Sequence, residues 1–111
     1  MERDEAYIRH ILDAITAIEK YTKDIPKEQF LDKRNQMMQD AVIRELEVIG
    51  EAVKRLSDTV KEKSADVPWR DIGDMRNILI HEYFGVDLEI VWETLQSDIP
   101  HLRKILSRVE R

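Results

Sequence analysis

The sequence has no cysteine, so it can form neither a disulfide framework nor a thiolate metal site, and a reducing compartment is compatible with that absence. Glycine and proline are scarce, 3 of each in 111 residues, too few to punctuate a strand-and-turn fold. With 37% of residues charged, the composition favours long helices with solvated faces. No stretch approaches the ~20 apolar residues of a membrane span. The start, Met1-Glu2-Arg3-Asp4-Glu5, lacks the basic-then-apolar order of a signal peptide. A soluble, cytoplasmic protein with no membrane association is expected. An excess of basic residues is missing too. The net charge of −5 argues against a general nucleic-acid coat, because sequence-independent phosphate binding comes from lysine and arginine releasing counterions. A local phosphate site stays open, provided its basic groups are concentrated, as pairing of two subunits would do.

Familiar catalytic signatures are also absent. There is no phosphate-cradling glycine loop, no His-Glu-x-x-His zinc helix, no Gly-x-Ser-x-Gly elbow and no calcium loop. ATP, zinc and serine hydrolysis are therefore poor readings. The three histidines, His10, His81 and His101, are far apart and lack the i, i+4 spacing of a helical metal pair. Neither a metal nor a cofactor is expected.

What is present is helical periodicity. The length allows one domain, 1–111, burying something under ~70% of its unfolded surface. A first helix is predicted from Arg3 to Thr22, with Tyr7, Ile8, Ile11, Leu12, Ile15, Ile18 and Tyr21 as one stripe. Asp24-Ile25-Pro26 breaks it, and Pro26 opens a short segment carrying Phe30 and Leu31. The longest helix is placed at about Asn35 to Lys63, striped by Met38, Val42, Leu46, Ile49, Val53, Leu56 and Val60, with Gly50 marking a close approach. Ser64-Ala65-Asp66-Val67-Pro68 is a connector. A helix from about Pro68 to Tyr83 follows, with Trp69, Ile72, Met75 and Leu79 inward and Gly85 as its left-handed stop. Asp87 reads as the N-cap of the last helix, which Pro100 should bend near Gln96 or split, with Ser97 or Asp98 recapping the second half. Four principal helices with short connections imply an all-α fold. We expect an antiparallel, up-and-down bundle with a short connecting helix and a kinked last helix. The breadth of the stripes suggests a homodimer.

One segment concentrates chemistry: Arg76-Asn77-Ile78-Leu79-Ile80-His81-Glu82-Tyr83. It holds a guanidinium, a carboxamide, an imidazole and a phenol within eight residues near a predicted helix end. Metal-free RNA cleavage needs a base for the 2′-hydroxyl proton, an acid for the leaving oxygen, and cations for the charge on phosphorus. Histidine serves as base or acid near neutral pH, and the arginine fork fits phosphate oxygens. A helix C-terminus would favour protonated His81 by some ~0.3–1 kcal/mol, against any burial. At ~100° per residue Asn77 and His81 share a face, while Arg76 and His81 diverge by ~140°. Two copies crossing in a dimer would bring them together. Plainer roles compete: Arg76 as a surface partner of Asp71, Asp74 or Glu82, His81 as a helix-end residue bonded to a carbonyl, Tyr83 as packing and Asn77 as solvated. Glu45 lies inside the apolar arc between Ala41 and Val48, where a carboxylate needs a basic partner or a place lining the site.

Arg76 and His81, with four residues between them, resemble the Arg-x(4–6)-His signature of the HEPN superfamily of ribonucleases. Tyr83 completes the Arg-x-x-x-x-His-x-Tyr form of HepT-like toxins of the HepT/MntA type, and Asn77 matches the polar residue after arginine. Arg44-Glu45-Leu46-Glu47-Val48-Ile49-Gly50-Glu51-Ala52 resembles that family's long-helix segment, and Trp69-Arg70-Asp71-Ile72 the entry to its motif helix. The resemblance implies a single HEPN-like domain that forms a homodimeric, metal-independent RNA endonuclease. It implies a toxin role with a cognate nucleotidyltransferase antitoxin as partner, able to transfer AMP to Tyr83. In that reading Arg76 and His81 are catalytic, Asn77 supports them and Tyr83 is the modified switch. The alternative is a non-catalytic helical adaptor that binds a nucleotidyltransferase or a nucleotide through the same polar motif. A structural dimer with no active site is the third reading.

Overall fold

An apolar residue every three or four positions makes a helix with one greasy side, and such helices are stable only where those sides meet. The computed structural model describes residues 2–74 and 87–110, and every regular element among them is helical. α1 (Glu2–Thr22) buries Ile8, Ile11, Leu12, Ala14, Ile15 and Ile18. Its last turn is closed by the Thr22 hydroxyl, which donates to the Ile18 carbonyl at 2.8 Å. Asp24 then reverses the chain at φ 59°, a left-handed conformation that a short polar side chain tolerates better than most.

α2 (Lys27–Leu31) is a single short turn following Pro26. It owes its place to Phe30, wholly buried, whose ring lies 5.3 Å from that of Trp92. Asp32 starts the 3₁₀ turn Lys33–Asn35 by accepting from the Arg34 amide at 2.8 Å. The Arg34 guanidinium, bonded to the same carboxylate at 2.8 Å, and then the Arg34 amide hold its pKa down at about 2. α3 (Gln36–Arg55) carries Val42, Leu46, Ile49, Ala52 and Val53 into the core. Its buried Gln39 amide donates to the carbonyls of Phe30 at 2.7 Å and Asp32 at 2.9 Å, tying the α2 turn onto α3.

The helix expected to run to Lys63 is in fact two. α3 stops at Arg55, Leu56 is extended, and α4 (Asp58–Lys63) starts afresh with Ser57 as its N-cap, its Oγ accepting from the Val60 amide at 3.4 Å. The physical cause lies far away in sequence. The buried carboxylate of Asp4 accepts from the Ser57 amide at 2.9 Å and from its hydroxyl at 2.7 Å, taking the amide that a continuous helix would have used internally. Because Leu56 and Val60 are both buried, the apolar stripe passes through the break undisturbed. The same bonds set α1 antiparallel to α3, joining the start of one to the end of the other.

Residues 69–74 are helical and are labelled α5 over that described span, with Ile72 buried. α6 (Leu88–Gln96) is capped as expected by Asp87, whose carboxylate accepts from the Glu89 amide at 2.9 Å and the Ile90 amide at 3.4 Å. The last helix is split: Ser97 ends α6 and α7 (Asp98–Glu110) follows. Pro100 thus falls in the first turn of α7, where an amide has no intrahelical acceptor and its loss is harmless. Leu102 and Leu106 are fully buried. Arg103 fastens α7 to α1, its guanidinium reaching Thr16 at 2.7 Å and both Glu19 oxygens at 2.9 Å. Among the described residues α1 packs against α3 and α7, and α6 against α7 and α2, which makes the fold all-α. No helix of the described residues is long and apolar enough to cross a membrane.

Candidate functional site

Arg76, Asn77, His81 and Tyr83, together with the proposed helix end at Gly85, lie outside the described residues. The structure does describe the element that leads into that segment. Pro68 supplies the first carbonyl of α5, accepting from the Ile72 amide at 3.0 Å. The half-buried Trp69 directs its indole N–H at two carbonyls at the end of α4, Lys61 at 3.1 Å and Ser64 at 3.0 Å, which also accept the Ser64 and Val67 amides. Val67 and Ile72 are buried on either side of it. Gly73 allows a close approach here, since a β-carbon there would stand 3.1 Å from Cγ and 3.6 Å from Cε of Lys54 and would press on that lysine's stem. α5 is thereby fixed against α3 and α4 up to Asp74, two residues short of Arg76.

This junction is a groove of about 340 Å³ lined by Lys54, Lys61, Trp69, Arg70, Gly73 and Asp74. A second groove, of about 280 Å³, lies between α1 and α3, where Tyr7 and His10 face Arg44, Glu47, Glu51 and Arg55. Its charges are matched. Arg55 bonds Glu51 at 3.0 Å, and Arg44 lies 3.9 Å from Glu47. The Arg55 pKa is raised, first by the hydrogen bond from its guanidinium to Glu51. The His10 ring meets Tyr7 edge-on with centroids 6.3 Å apart. Neither groove was predicted from periodicity, because each is assembled from residues on separate helices. Arg44 and Glu51 do fall within the sequence segment that carried the family resemblance.

Glu45 is half-buried, and no hydrogen bond or ion pair joins its side chain to another described residue. The basic partner expected for it is not found among the described residues. His101 is exposed and lies 3.1 Å from Asp66. Tyr7, Trp69 and Trp92 are half-buried at the edge of the core, and Tyr21 is exposed. Trp69, expected simply as core, thus holds α4 to α5.

Comparison with known proteins gives a consistent result. The family model described as "Ribonuclease HepT-like" matches residues 11–109. A Methanocaldococcus jannaschii protein named "Gamma-glutamylcyclotransferase and putative RNase" is 44% identical over 110 residues, 98% of this chain and 49% of that protein. The chain therefore spans about half the length of that relative. "Probable ribonuclease HepT" of Thermococcus cleftensis is 46% identical over 98 residues, 87% of this chain and 86% of that protein. No solved structure matches the chain.

Proposed function

The chain belongs to the HepT-like ribonuclease family, and from that premise we propose that it is a metal-independent RNA endonuclease acting as the toxin of a toxin–antitoxin pair. One observation carries the reading: a match to this family over residues 11–109 that contains an intact Arg76-x-x-x-x-His81-x-Tyr83 motif. The chemistry follows from the side chains. A base removes the 2′-hydroxyl proton, that oxygen attacks phosphorus, the bond to the 5′ oxygen breaks, and an acid returns a proton to it. The products are a 2′,3′-cyclic phosphate and a free 5′-hydroxyl. His81 acts as base or acid, Arg76 holds the phosphate oxygens and Asn77 orients them. Two chains in a homodimer would supply two arginines and two histidines to the paired motifs, concentrating cationic groups that a chain of net charge −5 otherwise lacks.

Tyr83 is the switch in this reading. A nucleotidyltransferase partner would direct its phenol oxygen at the α-phosphorus of ATP, with pyrophosphate leaving. The tyrosyl adenylate would place a bulky anion beside Arg76 and exclude RNA by occupation and repulsion. The test is cleavage of RNA by the purified protein in EDTA. We expect cleavage, and a fall of about 10²–10⁴-fold for His81→Ala, the range for a lost general acid or base. Arg76→Ala should be similarly impaired. A protein that leaves RNA intact in EDTA, with both variants as harmless to cells as the parent, would overturn the nuclease reading. Binding of a nucleotidyltransferase that survives both substitutions would then favour the adaptor.

A further inference from the structure

The groove where α5 crosses α3 and α4 differs in charge from the rest of the molecule. Lys54, Lys61 and Arg70 converge on it against a single carboxylate, Asp74, in a chain whose net charge is −5. Among the described residues none of the three cations is engaged in an ion pair, whereas the arginines of the α1–α3 groove are matched by Glu47 and Glu51. Two of the three are tethered at the groove by stem or backbone. The Lys54 stem is pinned beneath Gly73, and the carbonyl of Lys61 is held by the Trp69 indole. The Trp69 ring itself lines the groove, its N–H already bonded to the two carbonyls. A row of unmatched cations beside a fixed aromatic face is the combination that holds a single strand, cations on its phosphates and the ring under an unpaired base.

Position supports the same occupant. One residue separates Asp74 from Arg76, and two peptide units span at most roughly 7 Å. A strand lying in the groove would run toward the proposed cleavage motif. We propose that this groove is a binding track for single-stranded RNA, in which Lys54, Lys61 and Arg70 contact phosphates next to the cleaved linkage and Trp69 stacks on a neighbouring base. The proposal rests on the nuclease reading above. It assigns substrate affinity to residues outside the catalytic motif, and it selects unpaired RNA over duplex.

The experiment measures binding of a fluorescent single-stranded RNA, 2′-O-methylated so that it cannot be cleaved, as a function of salt. The protein with Lys54→Gln, Lys61→Gln and Arg70→Gln is compared with the parent. Each lost phosphate contact lowers the slope of log affinity against log salt by about 0.7, so the triple variant should lose about 2. Affinity should fall alike for unrelated sequences. With cleavable RNA the variant's KM should rise while kcat holds. A control carrying Lys20→Gln, Lys23→Gln and Lys104→Gln makes the same change in net charge at exposed positions elsewhere, and should keep the parental slope. A parent that cleaves RNA in EDTA but whose affinity and slope ignore the groove substitutions overturns this proposal alone, and leaves the groove to an acidic protein surface. Equal losses in the control and the groove variant overturn it too, since net charge would then suffice. A parent that neither binds nor cleaves RNA overturns the nuclease reading together with the groove.

Discussion

Asp4 shows how one side chain can decide where a distant helix ends. The residue is 4% exposed, and its carboxylate accepts from the Ser57 amide and hydroxyl. These bonds, the backbone one foremost, lower its pKa from 3.8. The native state therefore keeps Asp4 charged at a pH where the unfolded chain has begun to take up a proton. Stability from this group is present above the unfolded value near ~3.9 and is lost as pH falls through the lower folded value. Asp4→Ala should reduce the free energy of unfolding by about 1–3 kcal/mol at neutral pH, the cost of leaving a buried donor unmet. That deficit should shrink below about pH 4, where the parent loses the same interaction. Denaturant titrations at neutral and acid pH check this, and a gap that stays constant with pH would refute the role of the charge. None of it was legible locally. Asp4 reads in the sequence as one charge among several at a helix start, and only the fold brings it to Ser57.

At the scale of elements, periodicity was a good guide to which residues are inside and a poor one to where helices stop. The stripe of α1 is buried as the spacing predicts except at Tyr7, which is half-buried, and Tyr21, which is exposed, and that of α3 is buried from Val42 to Val53. Caps announced by a single residue were also readable, Asp87 for α6 and the Pro100 split among them. The break at Leu56 was hidden because Leu56 and Val60 remain on the buried stripe. The cap-forming run Ser57-Asp58-Thr59 was the available signal. Gln39 was overlooked for a related reason: a polar residue on a helix reads as solvated, yet here it is 6% exposed and bonded to two carbonyls of the preceding turn. Gln39→Ala removes the side-chain donor from the Phe30 carbonyl, while the Asp32 carbonyl keeps the Asn35 amide at 2.9 Å. We expect a loss of about 1–3 kcal/mol, or a fall in Tm of roughly 4–8 °C per kcal/mol for a chain of this size. Because the turn carries Phe30 against Trp92, tryptophan fluorescence should report loosening of α2 before the helical signal is lost. An unchanged melting curve would show that α2 is held by Phe30 alone.

For the whole molecule, the motif was legible in the sequence while its assembly was not, since a helical register gives directions within one chain and no information about a second. In the proposed homodimer a site takes Arg76 from one chain and His81 from its partner. Two-fold symmetry makes two such sites. This arrangement is testable without a structure of the complex. On this proposal Arg76→Ala and His81→Ala proteins should each be inactive alone, because every site in either homodimer would lack one group. Mixed, unfolded and refolded together, about half the dimers are hybrids. In a hybrid one site has lost both groups and the other has lost neither, so the mixture should recover about a quarter of the parental cleavage rate. Recovery should require subunit exchange and vanish if the two proteins are mixed only after cross-linking. A mixture that stays inactive after demonstrated exchange would place Arg76 and His81 of a single chain in each site, and would remove the need for pairing from the mechanism.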